Sequence, residues 1–148
     1  MENVQDKALS NNNIRSLVSF FSVHLDQRLA QLMQNTPYQK MRVSDTRAFV
    51  IATRSPKTIS EIARHLHISR QSTQSSVSRL AKFGLVKLAQ HPTNKREKLV
   101  DITQQGWAAS AVAVKNLRLI EEDLERLIGT SQYAALRQGL ETLVQKMA

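Results

Sequence analysis

Cysteine is absent from the chain's 148 residues. That excludes a disulfide scaffold, a thiolate metal site, a cysteine nucleophile and thiol redox sensing. Glycine (4) and proline (3) are scarce, which argues against a turn-rich sandwich or barrel and for helix. No stretch of about 18 apolar residues occurs, so no transmembrane helix is expected. The first 13 residues are polar and lack the apolar segment of a signal peptide, so the default expectation is a soluble cytoplasmic protein. Gly-rich phosphate loops and His-Glu-x-x-His are missing as well. The carboxylates crowd together only at Glu121-Glu122-Asp123, a spacing that reads as a solvated helix face. His65 and His67 read as phosphate-facing or partly buried, not as metal ligands. Neither an enzyme nor a cofactor is indicated.

Acidic residues are the other shortage, and it is local. Residues 54–98 hold 10 basic and 2 acidic groups, net +8, against net +2 for 1–53 and net −1 for 99–148. The excess of the whole chain, +9, therefore lies almost entirely in its middle third. Such concentration is the footprint of a polyanion. A membrane surface competes with nucleic acid as that polyanion, but the segment does not read as one long basic amphipathic helix. A basic face kept for solubility is the plainer alternative.

Hydrophobic spacing gives the organisation. Residues 1–12 look frayed. Ile14, Leu17, Val18, Phe21, Leu25, Leu29, Leu32 and Met33 recur at helical intervals, which predicts a long helix to Gln34, capped by Asn12 or Asn13 and stopped by Asn35-Thr36-Pro37. A second helix is expected over Ser44–Thr53 with Ser44 as cap. Thr58 with Glu61 forms a capping box for a short helix to Leu66. Ser69 caps Arg70–Phe83, and Gly84 ends that helix. Leu85–Ala89 and Lys98–Ile102 read as a hairpin with the basic tip His91–Arg96. Thr103 caps a helix to Ile128, and a last one runs over Ser131–Lys146. The expected order is α-α-α-α-β-β-α-α.

Residues 69–80, S-R-Q-S-T-Q-S-S-V-S-R-L, are unusual for a helix because serine competes with its own backbone. An ordinary exposed helix would use Glu, Lys and Ala, which propagate better. The composition makes sense if one face meets donors and acceptors, as in a DNA major groove. Thr73, Val77 and Leu80 share an inward face. Arg70, Gln71, Ser72, Gln74, Ser75 and Ser78 are left outward, with the cap Ser69 beside them.

With the hairpin, these two helices resemble the winged helix-turn-helix of the MarR family of dimeric transcription regulators. The likeness is carried by T-I-S-E-I-A-R-H-L-H-I-S-R-Q, by S-R-L-A-K-F-G-L-V and by H-P-T-N-K-R-E-K-L-V-D-I-T-Q-Q-G. Pro92, Lys95, Arg96, Leu99, Val100, Thr103 and Gly106 fit the family's wing. His91 and Asn94 depart from it, standing where an acidic or Asn residue and an Asp are usual.

The resemblance implies a mainly α fold with a small β-hairpin wing. Its parts are an N-terminal arm and dimerisation helix over 1–34, a DNA-binding region over 35–103 with its wing at about 85–102, and C-terminal dimerisation helices over 104–148. It places Arg96 in the minor groove, Lys95 and Lys98 on phosphates, and Thr58, Ser60 and Arg79 on the DNA backbone. It further implies a homodimeric repressor on a pseudo-palindromic operator in double-stranded DNA. A small aromatic or anionic effector would sit in a crevice for which His24, Arg47 and Trp107 are candidates. The alternatives are a protein-interaction module on the same fold, and a weakly specific chromatin-type binder without effector.

Overall fold

A computed structural model of the chain describes residues 13–147. The expected fraying at 1–12 and Asn12 as a cap lie outside the described residues. Among the described residues, six helices and three short strands follow in the order α1 (Ile14–Met33), α2 (Val43–Arg54), β1 (Lys57–Thr58), α3 (Ile59–Leu66), α4 (Arg70–Lys82), β2 (Val86–Gln90), β3 (Lys98–Ile102), α5 (Gln104–Ile128) and α6 (Thr130–Met147). The mainly α fold with its wing is the one expected, with one addition, β1, whose Thr58 is also the cap of α3. It pairs antiparallel with β3, Lys57 opposite Val100 and Thr58 opposite Leu99, so the sheet order is β1-β3-β2.

The chain divides into two compact units, 33–113 and the two ends, 1–32 with 114–148. In the first unit, Ile62, Val77, Leu80, Leu85 and Val100 are fully buried, with Ala48, Phe49 and Ala52 from α2 beside them. Each element offers its apolar stripe to this core because its ends are fixed by local caps. Thr58 Oγ1 accepts the Glu61 N–H at 3.2 Å, while the Glu61 carboxylate accepts the Thr58 N–H at 2.7 Å. That backbone hydrogen bond holds the Glu61 carboxyl below its ordinary range. Ser69 Oγ accepts the Ser72 N–H at 3.1 Å. Gly84 ends α4 at φ +72°, a conformation that costs residues with a Cβ.

One cap differs from expectation. The helix α2 starts at Val43, not after Ser44, and its N-cap is Arg42. Asp45 takes the closing role, its Oδ2 accepting the Arg42 N–H at 3.2 Å. The carboxylate three residues into the helix satisfies an otherwise orphaned donor better than the Ser44 hydroxyl could.

In the unit made of the chain ends, Asn13 Oδ1 caps α1 by accepting the Ser16 N–H at 2.9 Å. Arg28 pairs with Asp123 at 3.0 Å, and Arg137 reaches Glu121 at 3.3 Å and Glu141 at 3.0 Å. Glu121 and Asp123 of the acidic run of α5 are thus held by arginines. Neither α1 nor α6 has a buried residue. Among the described residues no helix is long and apolar enough to cross a membrane.

Candidate nucleic-acid interface

The helix α4 has two chemically different faces. Thr73, Ser76, Val77 and Leu80 are buried, and Arg70, Gln71, Ser72, Gln74, Ser75 and Ser78 are exposed along with the cap Ser69. The inward assignment of Thr73, Val77 and Leu80 agrees with the structure, which adds Ser76. The serines are partly occupied at home: Ser75 Oγ donates to the Gln71 carbonyl at 3.1 Å, and the hydroxyls of Ser69 and Ser72 lie 2.9 Å apart. Arg70, Gln71 and Gln74 are the long side chains left on this face.

The wing folds back beside α4. Its strands pair from Val86 opposite Ile102 to Gln90 opposite Lys98, leaving residues 91–97 as the tip. Asn94 Oδ1 accepts the Arg96 N–H at 3.1 Å, a local turn that presents Arg96 and Lys95 outward. A groove of about 190 Å³ then forms where three distant stretches of chain meet, Thr58 and Ser60, Arg70 and Gln74, Arg96 and Lys98. Its charged groups are those three cations and one carboxylate, Glu97. Leu88 and Ile59 complete the lining. Neither they nor Glu97 were named from sequence, because nothing local distinguishes a groove-lining apolar residue from a core one.

Arg79 is engaged elsewhere. Its Nε and Nη2 donate to Asp45 Oδ1 at 3.0 and 2.7 Å, and Nη2 also donates to Ser76 Oγ at 3.1 Å. Asp45 is fully buried, so the pair ties α2 to α4 inside the unit. Burial pushes the Asp45 carboxyl up. The hydrogen bonds from Arg79, the Arg42 N–H and Ser76, and the Arg79 charge, outweigh it and hold the group below the ordinary aspartate range. A group with a depressed folded pKa adds stability above its unfolded pKa and loses it as pH falls through the folded one. Asp45→Asn is therefore expected to lose on the order of 2 kcal/mol at pH 7. That loss should shrink as pH falls below about 4, where the unfolded carboxyl takes up its proton before the folded one does. Urea melts of both proteins at pH 7 and pH 3 check it; an equal gap at both pH values contradicts the assignment.

Of the residues considered for an effector, His24 is exposed on α1, while Arg47 on α2 and Trp107 on α5 are exposed in the other unit. His65 and His67 are both exposed, and His67 adopts φ +52° as the C-cap of α3. No group of three metal-ligating side chains occurs among the described residues.

A three-helix core, a helix with a polar outer face and a basic hairpin beside it define a winged helix-turn-helix protein. Residues 48–97 match the sequence model of the MarR family. The fold is also shared with several solved structures. A MarR transcriptional regulator from Methanosarcina mazei Go1 superposes with a TM-score of 0.78 at 16% identity, over 90% of this chain and 94% of that one. Wild-type MarR from E. coli, in its apo form, gives 0.71 at 17%, over 88% and 96%. Streptococcus pneumoniae FabT, solved in complex with DNA, gives 0.69 at 16%, over 90% and 93%. No protein of curated function matches the chain in sequence. Residues 48–97 are thus similar to the MarR family's sequence model, within a fold shared with these solved structures.

Proposed function

We propose that the chain is a sequence-specific regulator of transcription, a repressor, that binds a pseudo-palindromic operator in double-stranded DNA as a homodimer in the cytoplasm. The observation that carries this reading is the groove uniting Arg70 and Gln74 of α4 with Arg96 and Lys98 of the wing. Two surfaces from separate parts of the chain present donors and positive charge side by side. A major-groove helix flanked by a backbone-contacting wing needs that arrangement. Gln71 and Gln74 can pair with adenine and Arg70 with guanine, while Lys95 and Lys98 suit phosphates. The solved complex of FabT with DNA supports the same use of this fold.

The homodimer is supported by the chain ends. Ile14, Leu17, Val18 and Phe20 of α1 and Leu143, Val144 and Met147 of α6 are exposed, more apolar surface than a lone monomer ordinarily leaves in water. A second copy covering these helices would set two recognition helices roughly 34 Å apart, one turn of DNA. The release we propose is by a small aromatic or anionic effector. It would bind the form with mis-spaced helices and draw the population from DNA.

Selection from random DNA duplexes at two salt concentrations, with sequencing, tests the reading. Enrichment of a pseudo-palindrome with half-sites one turn apart is the expected result. Retention without an enriched site, collapsing as salt rises, would replace it with a weakly specific chromatin-type binder. Absence of retention at low salt would favour a protein-interaction module.

A further inference from the structure

The tip that carries Lys95 and Arg96 is closed by a histidine. His91 follows β2, and its Nδ1 accepts two backbone N–H groups, from Thr93 at 3.2 Å and from Asn94 at 3.0 Å. The Thr93 hydroxyl lies 3.4 Å from the same nitrogen. The imidazole can accept there only when neutral, with its hydrogen on Nε2. Asn94, fixed by this contact, in turn accepts the Arg96 N–H and places its Nδ2 3.5 Å from Glu97. A relay of short caps therefore runs from His91 through Asn94 to Arg96. An Asn or Asp at position 91 could close the same turn. A histidine closes it with a nitrogen that protonation converts from an acceptor to a donor.

We propose that neutral His91 is the positioning residue of the wing, and that its protonation unlatches the tip and weakens DNA binding through Lys95 and Arg96. The proposal rests on the reading of this surface as a DNA interface. Protonation at Nδ1 would set a donor against two donors, and both caps would be lost together. The charged groups of the tip and of the groove beside it are Lys95, Arg96 and Glu97 of the loop, Lys98 of β3 and Arg70 of α4. Most are cationic, so a further positive charge finds little compensation. Charge alone acts the other way, because a protonated histidine beside phosphates would raise affinity. The two effects have opposite signs, and so the measurement decides between them.

The test compares the full-length protein with His91→Asn from pH 8 to pH 5.5. In nuclear magnetic resonance, the Thr93 and Asn94 amide shifts should follow the titration of the His91 ring in the parent and stay in place in the variant. On DNA, H91N should keep the parent's affinity at pH 8, and the parent should fall about threefold to tenfold relative to H91N by pH 5.5. The other histidines are common to both proteins and cancel. A parent that gains on H91N as pH falls would overturn the latch in favour of simple charge. Amides that ignore the His91 titration would overturn it as well. If neither protein binds DNA at pH 8, the interface reading fails, and the amide titration alone judges the latch.

Discussion

Replacing Arg96 with glutamate is expected to lower affinity for duplex DNA by on the order of a hundredfold at moderate salt. Two contributions act together: a cation that lines the groove with Arg70 and Lys98 is lost, and a carboxylate appears where phosphates would approach. The salt dependence of the residual binding should also become shallower, because fewer counterions are released on association. The fold should be untouched. Arg96 is exposed at the hairpin tip, and its backbone N–H, not its side chain, makes the turn to Asn94. Fluorescence anisotropy across a salt series, beside a thermal melt, separates these expectations. An affinity within twofold of the parent with an unchanged melt would remove the wing from the interface.

Gly106→Ala is expected to act on stability with comparable force, lowering it by about 2–4 kcal/mol. Gly106 is buried in the first turn of α5, where a Cβ would meet the Leu85 carbonyl oxygen at 2.2 Å and Ile102 Cγ2 at 2.7 Å. Backbone this close cannot step aside as a flexible side chain can. The close approach is imposed by neighbouring contacts. The Thr103 N–H donates to Leu85 O at 3.1 Å, Thr103 Oγ1 donates to the Gly84 carbonyl, and the Gly106 N–H donates back to Thr103 Oγ1 at 2.9 Å. The start of α5 is thus docked on the turn that leads into β2, and a methyl group would wedge it off. Gly139 offers the contrast, since its Cβ would find open space within α6. Alanine there should stabilise by about 0.5–1 kcal/mol through helix propensity. Thermal melts of the two variants should move in opposite directions, and a melt for Gly106→Ala equal to the parent's would refute the docking argument.

The helices were readable wherever their ends are closed by neighbours in sequence. Asn13 with Ser16, Thr58 with Glu61, Ser69 with Ser72 and Thr103 with Gly106 are each three residues apart, and each caps the helix expected there. The polar composition of α4 marked its outer face for the same local reason. Arg42 escaped notice as a cap because arginine has no preference for that position; Asp45 makes it one. Two residues, Lys57 and Thr58, cannot display a strand's alternation, and they became a strand only because β3 passes alongside them.

By itself the sequence determined the helical punctuation, the basic hairpin, the middle-third charge and the resemblance, since all of these are expressed within a few residues or summed along the chain. The tertiary structure alone decided which of the charges work together. Arg70 and Arg96, 26 positions apart in the numbering, share one groove, while Arg79 is claimed by Asp45, 34 positions away. The resemblance places Arg79 beside the DNA backbone, and nothing in its sequence neighbourhood shows a buried partner. A side chain's partner across the core depends on packing of elements distant in sequence, and neither periodicity nor composition encodes that distance.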